Sequence, residues 1–260
     1  MKKGLGHRAV SILQKISREK PIFTFEEALN IVDVDRAYLR SLLHKLEESG
    51  WVERIEKGKY ITIPLEGEKG KYTLHEFVIG SLLVKSSAIA YWSALNYYGF
   101  TEQVPSTVFI QTISRKKKQE IEIFGVKYKI IRINERKFFG FDKVWIENHQ
   151  INITDREKTV VDCLDKPYYC GGVIEIAKAL KRNDFDAEKM TKYAKRIGNN
   201  AVLKRLGYLC DLFGIDNNIS KENLRRGISL LDPSRPKKGK RDEDWKIIIN
   251  LDEKSLGELE

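Results

Sequence analysis

The chain has 260 residues, 42% of them hydrophobic, with 47 Lys/Arg against 37 Asp/Glu for a net charge of +10. That length allows one large domain or two modest ones with real apolar cores, and the basic excess favours an anionic partner such as nucleic acid. No run of 18 apolar residues occurs and the basic N-terminus lacks an apolar stretch before a cleavage site, so a cytoplasmic protein without membrane contact is expected.

Charge is unevenly spread: +2 over residues 1–66, +5 over 67–152 and +3 over 153–260. Cys163, Cys170 and Cys210 are odd in number and form no CxxC pair, which reads as reduced, structural thiols.

In residues 5–18, Val10, Leu13 and Ile16 recur at helical spacing and Ile12 widens the stripe before Pro21 ends the segment. Thr24 is placed to cap a short helix, Phe25–Ile31, with Glu27 three residues on completing a capping box. Asp33 and Val34 then turn the chain, and Asp35 caps a second helix that Gly50 ends. On that helix Leu39, Leu42, Leu43 and Leu46 fall within roughly one third of the circumference, a core-facing stripe. The opposite arc holds Ala37, Arg40, Ser41, His44 and Lys45, with Arg36 at its edge.

After it, Trp51–Ile55 alternates with period two, residues 56–59 turn, and Tyr60–Ile63 returns, which predicts a β-hairpin with Lys57 and Gly58 at its tip. Helix, turn, helix and hairpin in that order spell a winged helix-turn-helix. Arg and Lys reach guanine edges and phosphates while Ala and Ser leave room for bases, so Arg36, Arg40, Ser41, His44 and Lys45 are the candidate duplex-DNA contacts. Arg54, Lys57 and Lys59 would bring the wing to the phosphate backbone.

Residues 65–73 are polar with two glycines and mark a domain boundary. Leu74–Val84 has a helical pattern, and Ser86 and Ser87 are expected to cap a second helix, Ala88–Tyr98, stopped by Gly99. The middle of the chain reads as β: Thr107–Ile113, Glu120–Phe124, Val126–Ile133 and a short piece around Val144–Ile146. Arg115, Lys116, Lys117 and Lys118 form a basic turn between the first two, a candidate secondary phosphate contact. Helices follow at Glu157–Leu164, Val173–Lys181, Asp186 to Ile197, Asn200–Phe213 and Lys221–Ile228. The end begins as a charged linker with two prolines, where Arg235, Lys237 and Lys238 could form a DNA-binding arm, and continues into a strand-like WKIIINL.

Two stretches carry a family resemblance. Ser86–Pro105 (SSAIAYWSALNYYGFTEQVP) and Ile153–Gly172 (ITDREKTVVDCLDKPYYCGG), with the helix after the latter, resemble the AbiEi-type antitoxins, regulators in phage-defence toxin–antitoxin systems. The resemblance implies that the winged helix binds inverted repeats in its own promoter as an autorepressor. It also implies that the second domain neutralises a nucleotidyltransferase-like toxin without a stable complex. It supplies no catalytic residue.

Enzyme readings find little support. A restriction-type metal site needs a lysine where Phe124 follows Glu120 and Glu122, and a nucleotidyltransferase site needs a carboxylate pair after Gly80 and Ser81, where none stands. His7, His44, His75 and His149 are scattered without zinc spacing. No cofactor, metal or catalytic activity is therefore expected.

The expected fold class is α+β: a winged helix-turn-helix over residues 1–66, a mixed α/β antitoxin-type domain with a small sheet and several helices over 74–230, and a basic linker with a strand-like tail over 231–260. The alternative function is a winged-helix protein acting mainly through protein contacts of its second domain, with a nucleic-acid-processing enzyme behind it.

Overall fold

The computed structural model describes residues 4–64, 74–182, 185–222, 224–252 and 254–255. The expected boundary at 65–73 lies outside them. The chain forms two compact units, residues 1–83 with 122–126, and residues 84–121 with 127–260.

In the first unit α1 (His7–Glu19) leads through β1 (Ile22–Thr24) into α2 (Phe25–Ile31) and α3 (Arg36–Glu48), followed by β2 (Val52–Glu56), β3 (Lys59–Thr62) and α4 (Glu76–Leu83). The capping box forms as the sequence predicts: the Thr24 hydroxyl accepts from Glu27 N, and the Glu27 carboxylate accepts from Thr24 N. Asp35 caps α3 by accepting from Tyr38 N at 2.8 Å. Gly50 follows that helix at φ 76°, a left-handed conformation glycine adopts without strain.

The four leucines of α3 pack against Ile12, Leu13 and Ile16 of α1, Phe23 of β1 and Ala28 of α2. Each such leucine contributes roughly 1.5–3 kcal/mol of burial. The strand β1 was not foreseen. It adds to the hairpin as an antiparallel edge, giving the order β1-β3-β2 with Ile22 opposite Ile61.

The second unit carries most of a six-stranded mixed sheet ordered β6-β7-β5-β4-β9-β8, of which only residues 122, 123 and 126 are grouped with the first unit. Its strands are β4 (Ser87–Ile89), β5 (Thr107–Thr112), β6 (Glu120–Ile123), β7 (Val126–Arg132), β8 (Phe141–Ile146) and β9 (His149–Thr154). Among the described residues its α-helices are α5 (Tyr91–Tyr97), α6 (Arg156–Asp165), α7 (Val173–Arg182), α8 (Ala187–Ile197) and α9 (Asn200–Leu212). Phe109 and Ile131 of the sheet share one core with Val160, Val161 and Leu164 of α6, Ile176 of α7 and Ala194 of α8.

Two expectations are corrected here. Ser87, read as a cap, and Ala88–Ile89, read as the first residues of the helix Ala88–Tyr98, form a strand joining β5 antiparallel and β9 parallel; within that span only Tyr91–Tyr97 is helical. β-branched Ile89 sits opposite Ile110 and Ile153, and this cross-strand burial overrides the local helical pattern. Among the described residues of Lys221–Ile228, none is helical.

The C-terminal segment differs most from a linker. β10 (Ser229–Leu230), β11 (Lys240–Asp242) and β12 (Ile247–Ile249) form a small sheet ordered β10-β12-β11, and Leu231, Trp245 and Ile247 belong to the core of the second unit. Asp232, 1% exposed, accepts from Val173 N at 3.1 Å and so caps α7 from about sixty residues away in sequence.

Candidate nucleic-acid interface

α3 is held by its leucine stripe, and the side chains on its opposite face are exposed. Ala37, Arg40, Ser41, His44, Lys45 and Glu48 line a shallow groove of about 430 Å³ along that face. The arrangement is a basic, small-residue surface on a helix whose orientation is fixed by packing rather than by its polar contacts.

The arc is less uniform than its sequence suggests. Arg36, in the first turn, pairs with Glu26 of α2 through both guanidinium nitrogens, one of them at 3.1 Å, and lies over the Phe25 ring at 5.2 Å. Arg40 lies over the same ring at 5.9 Å and has no carboxylate partner among the described residues. His44 Nδ1 stands 3.5 Å from Glu48 one turn on. Arg40, Ser41 and Lys45 therefore form the open centre of the face, and Arg36 is braced against α2.

Within the hairpin, Arg54 is exposed and its Nε donates to Glu56 O at 3.4 Å, while Lys57 is exposed at the tip. Lys59 is used differently. Its ammonium donates to Leu82 O at 2.9 Å and Leu83 O at 2.8 Å, the last carbonyls of α4. A cation at a helix C-terminus satisfies orphan acceptors and complements the helix dipole, so this lysine ties the wing to α4.

Sequence reasoning missed two residues beside the groove. His7 and Arg8 begin α1 next to α3, and together with Tyr38, Ser41 and Lys45 they line a second depression of about 410 Å³. The Arg8 guanidinium lies over the Tyr38 ring at 4.6 Å. Their position depends on how α1 crosses α3, which no local pattern announces.

The remaining candidates belong to the second unit. Arg115, Lys117 and Lys118 are exposed and Lys116 is partly buried, on the connection between β5 and β6. Arg235 pairs with Asp252 at 2.9 Å and lies 3.9 Å from Asp232, so it fastens the C-terminal segment; Lys237 and Lys238 are exposed.

The second resembling stretch shows what its charges do. Asp155 caps α6, and its other oxygen accepts from the Tyr193 hydroxyl at 2.9 Å. Lys158, fully buried, donates to both carboxylate oxygens of Asp162 at 2.5 Å and lies 4.7 Å from the Phe139 ring. Burial, ahead of the opposing lysine, raises the Asp162 pKa. Burial also raises the Cys163 thiol and pushes that of Cys210 up to about 12, so both are protonated and unreactive at neutral pH. These groups serve packing and helix ends inside the second unit.

Residues 11–63 match the family described as "Transcriptional regulator, AbiEi antitoxin", a span that runs from α1 to the end of the hairpin. No curated protein matches the sequence. Among solved structures, the chain resembles the crystal structure of the RV2827C protein from Mycobacterium tuberculosis, with a TM-score of 0.61 and 13% identity over 95% of this chain and 92% of that one. At that identity the likeness concerns the fold alone. No described helix is long and apolar enough to cross a membrane.

Proposed function

We propose that this chain, whose residues 11–63 belong to the AbiEi antitoxin family of transcriptional regulators, is a sequence-specific DNA-binding autorepressor and antitoxin. In this reading α2 and α3 with the β2–β3 hairpin are a winged helix-turn-helix, α3 enters the major groove, and the protein occupies inverted repeats of its own promoter to exclude polymerase. The observation that carries it is the outward face of α3, where Arg40, Ser41 and Lys45 stand open on a helix seated by four buried leucines. Arg54 and Lys57 contact phosphate from the wing, and Lys117 and Lys118 are secondary phosphate contacts of the second unit. The antitoxin role pairs the chain with a nucleotidyltransferase-like toxin without a stable complex, and the protein works in the cytoplasm.

The test is a gel-shift titration with the chain's own promoter fragment. Arg40→Ala should weaken binding by about 1–3 kcal/mol, the scale of one good base contact. Unchanged affinity in the double variant Arg40→Ala, His44→Ala would remove α3 from the interface. A purely protein-contact role predicts no promoter shift at any concentration.

A further inference from the structure

The six-stranded sheet ends on two edges of opposite character. β6 carries Glu120 and Glu122, both exposed, along the strand Glu120–Ile123. Glu120 pairs with Lys129 at 2.7 Å, which leaves Glu122 as the acid of that edge without an ion pair among the described residues, and a charge on an edge is a recognised defence against pairing with a second copy. β8, at the other end, has one acid and one base, Asp142 and Lys143, and no net charge. It also bears Trp145, 69% exposed, the largest side chain so displayed among the described residues.

The register of β8 against β9 fixes which of its backbone groups face outward. Ile146 pairs with His149 across the two-residue turn Glu147–Asn148, so that pair exchanges hydrogen bonds. Alternation then leaves the N–H and C=O groups of Phe141, Lys143 and Trp145 pointing away from β9. The side chains of these three residues share one face of the strand. Three outward donor and acceptor pairs, an exposed indole and charge neutrality make β8 a strand prepared for addition.

We propose that β8 pairs antiparallel with β8 of a second copy of this chain, joining two six-stranded sheets across a two-fold axis at Val144. In that register Lys143 of each copy lies directly opposite Trp145 of the other, and both are residues with outward hydrogen-bonding groups. Lys143 alone would guard an edge; set opposite an indole it becomes a cation over an aromatic face, twice per dimer. Asp142 falls opposite Ile146, and Val144 meets itself. The neighbouring symmetric registers are poorer: centring on Lys143 brings two ammonium groups together, and centring on Trp145 runs the pairing into the turn, where Glu147 has φ 52°.

The experiment uses the full chain without DNA, so its failure leaves the regulator reading untouched. Sedimentation equilibrium up to ~100 µM, a range that captures micromolar association, should give twice the 30.2 kDa chain mass. Lys143→Pro removes one outward N–H without touching a β9 hydrogen bond, and Trp145→Ser removes the indole; each should weaken the dimer at least tenfold, with an unchanged circular-dichroism melt at a concentration where the wild-type chain is monomeric. Amide exchange of Lys143 and Trp145 should slow as concentration rises. A wild-type monomer throughout, a dimer that both variants retain, or exchange at these amides independent of concentration each overturns the proposal, including the case in which β8 instead receives a strand from a different protein.

Discussion

The indole of Trp245 occupies the space that a side chain at position 207 would fill: a Cβ on Gly207 would come within 2.0 Å of its Cζ3. Trp245 is 2% exposed, its Nε1 donates to Asp211 Oδ2 at 2.8 Å, and the Lys221 ammonium lies 4.9 Å from its ring. One glycine on α9 thus admits the anchor by which the C-terminal segment docks.

Gly207→Ala should therefore destabilise the second unit even though alanine is the better helix former, by about 1–3 kcal/mol for a forced fit. Trp245→Ala should cost more, about 3–5 kcal/mol. Denaturant titration followed by circular dichroism measures both. A stabilised Gly207→Ala protein would mean that the indole has room to move.

A second prediction concerns pH. Burial pushes the Glu27 carboxyl up, but hydrogen bonds from Lys20 and from the Thr24 backbone and hydroxyl outweigh it and hold the pKa at about 2, below the ordinary 4.5. A depressed carboxyl stabilises the fold fully above its unfolded pKa and loses that contribution as pH falls through the folded value. Stability of the first unit should decline between about pH 4.5 and 2. Glu27→Gln should flatten that limb of a melting-temperature profile, and Thr24→Ala should cost about 1 kcal/mol at pH 7.

Lys57 and Lys59, two residues apart on the hairpin, should behave differently. Lys57→Ala should reduce the salt slope of promoter binding by about 1, as for one lost phosphate contact. Lys59→Met should leave that slope alone and lower thermal stability, because its ammonium holds the end of α4. Equal slope changes in the two variants would refute this division.

The buried pair Lys158–Asp162 offers a cycle. Asp162→Leu alone strands a buried ammonium and should cost about 3–5 kcal/mol, whereas Lys158→Met combined with Asp162→Leu should recover most of that loss. Measured by denaturant unfolding, a double variant as unstable as the single would point to a role for the charges beyond pairing with each other.

Much of the first unit is legible in the sequence because its signals are local. The leucine stripe of α3, the Thr24–Glu27 box and the Asp35 cap each act within a few residues, and the structure shows them as read. The groove of Arg40, Ser41, His44 and Lys45 follows directly from that stripe, since seating four leucines leaves only one face outward. His7 and Arg8 were not legible, because their place beside α3 is set by the crossing of two helices. Arg36 and Lys59 read as open cations and are engaged by Glu26 and the end of α4, through partners ten or more residues away.

What the sequence determined by itself is periodicity, capping and turn chemistry, together with the charge each surface can offer. Tertiary structure alone decided that Ser87–Ile89 is a strand, that the proline-containing basic segment after residue 231 docks instead of trailing, and that β8 ends the sheet. The reason is the range of the forces. Helix stripes and caps are settled over one or two turns, whereas the seating of Trp245 on Gly207 and the capping of α7 by Asp232 depend on burial between segments distant in the chain.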